Sequence, residues 1–163
     1  MPLYPLSITV LTISSPSTSG SSKSIKTISG LILKIVSFAG SEKIWVFKGD
    51  LGAGKTTLIT ELARVLGVVD KVSSPTFSLV NEYQNTKGEI FYHFDFYRVE
   101  NPAEVFEIGI EEYFYSGNYC WVEWAEKIAA YIPLDFIHIY IEVDEAGGRM
   151  ITLQRVINGE TNG

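Results

Sequence analysis

The chain has 163 residues, 46% of them hydrophobic and 13% aromatic, enough for one substantial core and too short for several domains. A net charge of −6 with no basic run excludes a protein that grips DNA or RNA by its own electrostatics. No segment reaches the roughly 18 apolar residues that cross a bilayer, and the single cysteine, Cys120, excludes an internal disulfide and fits a reducing cytoplasm.

The N-terminal "MPLYPLSITVLTISS" lacks the early positive charge and the cleavage pattern of a signal peptide. Its alternation at Ile8, Val10 and Leu11 predicts a strand instead. Residues 14–24, "SSPSTSGSSKS", are rich in Ser, Gly and Pro and predict a loop. In 26–40 the residues Ile28, Leu31, Ile35 and Phe38 fall on one face of a helix that stops at Gly40. A short apolar strand, "KIWVFKG", follows at 43–49.

That strand runs into "GDLGAGKT": Gly49, four residues, then Gly54, Lys55 and Thr56. Next comes a helix with Leu58, Leu62, Ala63 and Leu66 at helical spacing, closing on Gly67. Strand, glycine loop and helix stand in the order a phosphate-binding loop requires. Glycines let the backbone curl so that successive N–H groups converge on phosphate oxygens, and the helix N-terminus adds the positive end of its dipole. Lys55 is placed to reach the β and γ phosphates of a nucleotide, and the Thr56 hydroxyl to bind Mg²⁺.

Such a loop needs a carboxylate for the metal at the end of a neighbouring strand. "EIFYHFDFYR" (89–98) alternates, with Phe91, His93 and Asp95 on one face, as in a strand that is antiparallel or near an edge. "NYCWVEW" (118–124) is apolar up to Glu123, as in a strand buried within a parallel sheet. Glu123 is the first candidate for the Mg²⁺ ligand and Asp95 the residue that orients water or senses the γ-phosphate, with the reverse assignment open. Trp124 is a candidate cover for the site, Glu126 a solvated charge. His93 and His138 are expected to be structural, and Trp45 and Trp121 to lie in the core. In "VSSPTFSLVNEY" (72–83), Thr76 and Ser78 carry hydroxyls that a switch segment would bring to a γ-phosphate, the alternative being a plain loop entering a strand. Between Arg98 and Lys127 there are seven acidic residues and no basic one, over one or two short helices. They form either a solvated face or a surface for a basic partner. "DFIHIYIEV" (135–143) and "RMITLQRV" (149–156) predict an antiparallel hairpin at a sheet edge.

Four motifs, "GDLGAGKTT" (49–57), "SPTF" (74–77), "HFDFYR" (93–98) and "EWAEK" (123–127), together resemble the TsaE (YjeE) family of small bacterial ATPases, from about Thr27 to the C-terminus. The resemblance implies one α/β domain over 1–163 with the three-layer P-loop NTPase fold: a central mixed sheet, helices on both faces and a C-terminal antiparallel hairpin. It implies ATP and Mg²⁺ as cofactors, TsaD and TsaB as partners, and tRNA reached only through that complex. TsaD would transfer the threonylcarbamoyl group to the adenosine beside the anticodon, and ATP hydrolysis here would keep the complex cycling.

By the same resemblance, Gly49, Asp50, Leu51, Gly52, Ala53, Gly54, Lys55, Thr56 and Thr57 hold the phosphates, Thr56 and Glu123 the metal, and Asp95 and Trp124 serve hydrolysis. Thr27 of "KTISG" and Gly148 of the "EAGGR" turn (145–149) would approach the base or ribose. Ahead of Thr27 this chain carries Ser21, Ser22, Lys23 and Lys26, where the family is commonly acidic. The rival readings are a nucleotide-gated binding partner with little turnover and a small-molecule P-loop kinase. A kinase lid needs several arginines, and Arg64, Arg98, Arg149 and Arg155 are widely separated. A GTPase would need a guanine-reading Asn-Lys-x-Asp segment, and "NTKGE" does not supply it.

Overall fold

The computed structural model describes residues 7–13, 21–75, 78–143, 145 and 148–161, with side chains described from residue 29 onward. The elements are strand β1 (Ser7–Ile13), helix α1 (Ser21–Ala39), strand β2 (Ile44–Lys48), helix α2 (Lys55–Val65), strands β3 (Val80–Gln84) and β4 (Ile90–Asp95), and short helices α3 (Glu104–Glu107) and α4 (Ile110–Phe114). Strand β5 (Tyr119–Glu123), a 3₁₀ helix (Ala125–Tyr131) and strands β6 (Phe136–Val143), β7 (Arg149–Ile157) and β8 (Glu160–Thr161) complete the chain.

Seven strands lie in the order β1-β7-β6-β2-β5-β4-β3, with β8 added to β7. The centre, β6-β2-β5-β4, is parallel, and β3 and β7 run antiparallel to its two ends. The period-2 geometry of a strand sends alternate residues of β2 to opposite faces. Trp45 and Phe47 join α1 and α2 through Leu31, Ile32, Ile35, Ile59 and Leu62. Ile44 and Val46 join Val105, Ile110, Phe114 and Ile128 of the other helical layer. Both faces of β2 and β5 are therefore covered, which is why these strands are apolar along their length. The result is the three-layer P-loop NTPase architecture expected from the sequence, with its C-terminal hairpin β6–β7. Trp45 and Trp121 lie in the core as expected, 1% and 0% exposed.

Two expectations are corrected. The 14–24 loop ends earlier than composition suggests, because α1 begins at Ser21; serines are at home in a helix's first turn, and the Gly and Pro residues of that segment all precede Ser21. Residues 14–20 lie outside the described residues. The β6–β7 hairpin is not at the sheet edge, since β1 pairs antiparallel along β7 from Ser7↔Gln154 to Ile13↔Arg149. That pairing consumes the free N–H and C=O row that β7 would otherwise expose.

Candidate functional site

Strand β2 delivers the glycine loop to the carboxyl edge of the parallel sheet, where crevices form in open α/β folds. At Gly49 a Cβ would lie 2.7 Å from the Ile141 carbonyl of β6, so only glycine lets the chain leave the sheet there. The loop turns into α2 through Gly54 at φ 105, and no side chain caps that helix. Its first N–H groups, which have no intrahelical partner, face a cavity of about 310 Å³. The cavity is lined by Leu51, Gly52, Gly54, Lys55, Thr56 and Thr57 from the loop and α2, and by Ser74, Asp95, Glu123, Trp124 and Arg149 from elsewhere.

Opposite the loop, parallel pairing of β4 with β5 sets Asp95 beside Glu123. Both side chains fall on the α2 face of the sheet. Glu123 is 2% exposed, and a carboxylate that deep requires hydrogen-bond donors. Thr56 Oγ1 donates to Glu123 at 3.1 Å from Oε1 and 3.3 Å from Oε2. Ser74 Oγ lies 3.0 Å from Thr56 Oγ1, 3.4 Å from Glu123 Oε2 and 3.2 Å from Asp95 Oδ2. Asp95 Oδ1 accepts the Tyr97 N–H at 3.0 Å. Burial, then the charge of Glu123, pushes the Asp95 carboxyl above its usual range, against the pull of the Tyr97 and Ser74 bonds.

Lys55 is buried, and its ammonium donates to the carbonyls of Gly49 and Asp50 in its own loop. Burial lowers its pKa, opposed by Glu123, Glu126, Asp95 and Asp50. The Trp124 ring covers it, with Nζ 4.1 Å from the ring centroid, a cation–π contact. Trp124 reaches that position by leaving β5 with φ 59, a left-handed conformation that costs a bulky residue about 1–2 kcal/mol. Tyr97 packs on its ring at 4.9 Å.

Of the residues expected at a nucleotide site, Leu51, Gly52, Gly54, Lys55, Thr56, Thr57, Asp95, Glu123 and Trp124 line one cavity. Gly49 and Asp50 meet it through the carbonyls that hold Lys55, and the Ala53 carbonyl accepts from Arg149 Nε at 2.8 Å. Gly148 is buried beside Arg149. Thr27 falls in α1 and its side chain lies outside the described residues, as does Thr76. Ser78 turns its hydroxyl back onto the Val80 carbonyl at 3.1 Å, so the expectation for it is not met, and the hydroxyl of that segment that lines the cavity is that of Ser74, which was not singled out. His93 is the buried hydrogen-bonded residue expected, and its partner is Glu123. Glu126 is exposed, as expected. Arg149 was not anticipated as a site residue: its approach runs across the sheet from 96 positions away and leaves no local signal.

Among the described residues, no group of three or more His, Cys, Asp or Glu forms a metal site by itself. Thr56 Oγ1, Glu123 and Ser74 are hard oxygen donors at one point beside the phosphate loop. That donor set fits Mg²⁺, which takes one or two protein ligands and completes its sphere with phosphate oxygens and water.

A mixed sheet, a glycine loop entering a helix N-terminus and carboxylates on adjoining strand ends define a P-loop nucleotide-binding protein. Comparison with known proteins narrows the class. The chain belongs to the TsaE family: residues 22–151 match the family described as threonylcarbamoyl adenosine biosynthesis protein TsaE. The tRNA threonylcarbamoyladenosine biosynthesis protein TsaE of Bacillus subtilis is 38% identical over 121 residues, 74% of this chain and 75% of the relative. That of Haemophilus influenzae is 46% identical over 85 residues, covering 52% of this chain and about half (53%) of the relative. The crystal structure of Bacillus subtilis YdiB superposes with a TM-score of 0.61 at 30% identity, covering 86% of this chain and 84% of that one. Among the described residues no helix is long and apolar enough to cross a membrane.

Proposed function

We propose that this chain is a Mg²⁺-dependent ATPase whose turnover supports threonylcarbamoylation of tRNA by TsaD and TsaB, in the cytoplasm. The observation that carries the reading is the contact of Thr56 Oγ1 with the buried Glu123 at 3.1 Å, beside the first turn of a helix with free N–H groups. Bound ATP with Mg²⁺ supplies an activated phosphoryl group and the charge that neutralises it. The chain's own residues do the rest. The N–H groups of Gly52 and of Gly54 to Thr57 bind phosphate oxygens, the Ala53 N–H being taken by the Asp50 carbonyl at 2.9 Å, and Lys55 exchanges the carbonyls of Gly49 and Asp50 for the β and γ phosphates. Thr56 and Glu123 hold the cation. Asp95, half-buried and held in place by the Tyr97 N–H and Ser74 Oγ, orients the attacking water with the remaining acceptor capacity of its carboxylate. Trp124 excludes solvent above Lys55, and Arg149 ties the β6–β7 hairpin to the loop. Gly148, and Thr27 from α1, are assigned to the base or ribose.

A transfer kinase needs several cationic groups around the moving phosphate, and Arg149 is the one arginine lining the cavity among the described residues. The acidic stretch of α3 and α4 exposes Glu104, Glu107, Glu111 and Glu112 with Phe106 at 66%, which suits contact with a basic protein partner. Reconstituted tRNA threonylcarbamoylation with TsaB and TsaD, with and without this chain and ATP, tests the reading. Multiple turnovers are expected only when both are present, and turnover independent of the chain would overturn it. Lys55→Ala binding ATP as tightly as the wild type would remove the phosphate-loop assignment.

A further inference from the structure

The chemistry proposed above leaves one buried polar residue unused. His93 of β4 has no exposed surface, and its Nε2 lies 2.7 Å from Glu123 Oε2. Its Nδ1 is buried without a hydrogen-bond partner among the described residues. A ring with one nitrogen on a carboxylate and the other facing apolar surroundings places its N–H on the carboxylate side, so Nε2 donates to Glu123. The ring is held in place by the sheet: His93 pairs in register with Asn81 of β3 and Trp121 of β5, and the Tyr83 ring lies 6.4 Å away.

The two oxygens of Glu123 are consequently unlike. Oε2 takes the His93 donor at 2.7 Å, Ser74 Oγ at 3.4 Å and the longer of the two Thr56 Oγ1 approaches at 3.3 Å. Oε1 is met by Thr56 Oγ1 alone among the described residues. Thr56 and Ser74 are shared hydroxyls that a cation would reorganise, and Ser74 sits in a loop. Among the described residues, His93 is the one side-chain partner of Glu123 that stands on a neighbouring strand of the sheet.

We propose that His93 is a positioning residue for the divalent metal. By holding Glu123 Oε2 within the sheet it turns Oε1 toward Thr56 Oγ1, so that two oxygen ligands stand preformed at one point. This rests on the reading of Glu123 as the metal-facing carboxylate. Residues that hydrogen-bond a metal ligand from behind are worth about 10- to 100-fold in metal affinity, because they fix the ligand's orientation before the cation arrives.

The test measures ADP binding to the full chain by calorimetry with and without Mg²⁺, and Mn²⁺ binding to the ADP complex by electron paramagnetic resonance. Four variants are compared with the wild type: His93→Leu, His93→Gln, His93→Asn and Glu123→Gln. A glutamine amide reaches to about the place of Nε2 and donates there; asparagine is polar but too short, and leucine donates nothing. His93→Leu and His93→Asn are expected to lose about tenfold or more of the metal-dependent gain in ADP affinity and of Mn²⁺ affinity, with metal-free ADP affinity unchanged. His93→Gln is expected to stay within about threefold of the wild type. If His93→Leu does not fold, the Asn and Gln pair decides. The proposal is overturned if Leu and Asn keep the gain, if Gln loses as much as they do, or if metal-free affinity falls equally. Glu123→Gln separates the two levels: a metal-dependent gain that survives it removes the assignment of Glu123 itself. A gain lost in Glu123→Gln and retained in His93→Leu or His93→Asn removes the role of His93 alone.

Discussion

Replacing Gly54 by alanine tests whether Arg149 tethers the phosphate loop to the β6–β7 hairpin, and Gly52 provides the internal reference. Both glycines have positive φ, +105 and +81, where an L residue pays about 1–2 kcal/mol. Stiffening of the unfolded chain returns about 0.4–1 kcal/mol in each case. Their surroundings differ. Nothing lies within 4 Å of a Cβ on Gly52, whereas one on Gly54 stands 3.1 Å from Arg149 Nε. The arginine is flexible and swings aside, so what is lost is its bond to the Ala53 carbonyl, about 1–2 kcal/mol for a charged donor on a partly buried acceptor. Gly52→Ala is expected to cost about 1 kcal/mol and Gly54→Ala about 2–3 kcal/mol. Urea unfolding of the nucleotide-free chain measures both. In an Arg149→Ala background the two costs should converge, because the bond is already gone. Equal costs in the wild type, or a gap that survives Arg149→Ala, would refute the tether.

Asp95→Asn is expected to stabilise the nucleotide-free chain while lowering ATP turnover by at least about 10²-fold. Burial and the neighbouring Glu123 raise the Asp95 pKa, so its ionised form subtracts stability above that pKa and the amide does not. Calorimetry should show a rise of a few degrees in Tm; a fall would mean that Asp95 is compensated better than its surroundings indicate. Burial pushes the Cys120 thiol to about 12, which leaves a thiolate fraction of about 10⁻⁴ at pH 8. Iodoacetamide should therefore label Cys120 in denaturant and leave the folded chain untouched over hours, and rapid native labelling would contradict the burial of β5.

The phosphate loop was legible because its signal is local. Gly49, Gly54, Lys55 and Thr56 lie within eight positions, and each residue type answers a requirement of the backbone or the anion. Glu123 was legible for a different reason: an apolar run with no alternation means a strand covered on both faces, and a carboxylate at its end has to serve something. The segment before β3 was harder. Its hydroxyls at Ser74, Thr76 and Ser78 are equivalent in sequence, and the choice of Ser74 depends on how a loop without periodicity crosses the end of the sheet. Arg149 was illegible because its partner is a main-chain carbonyl, which every residue possesses. The covering of β7 by β1 was hidden likewise, since alternation marks a strand without naming its neighbour.

The left-handed exit of Trp124 from β5 also has an optical consequence. Of the three tryptophans, Trp45 and Trp121 are 1% and 0% exposed and too remote from solvent exchange to respond strongly to a ligand in the cavity. Trp124 alone lines it, with the Lys55 ammonium against its ring. Were that ammonium to move to a phosphate as proposed, the charge over one indole would change and the other two would serve as an internal baseline. On the proposed reading, the unlabelled chain carries its own emission reporter of nucleotide arrival, suited to stopped-flow measurement, and Trp124→Phe is its blank.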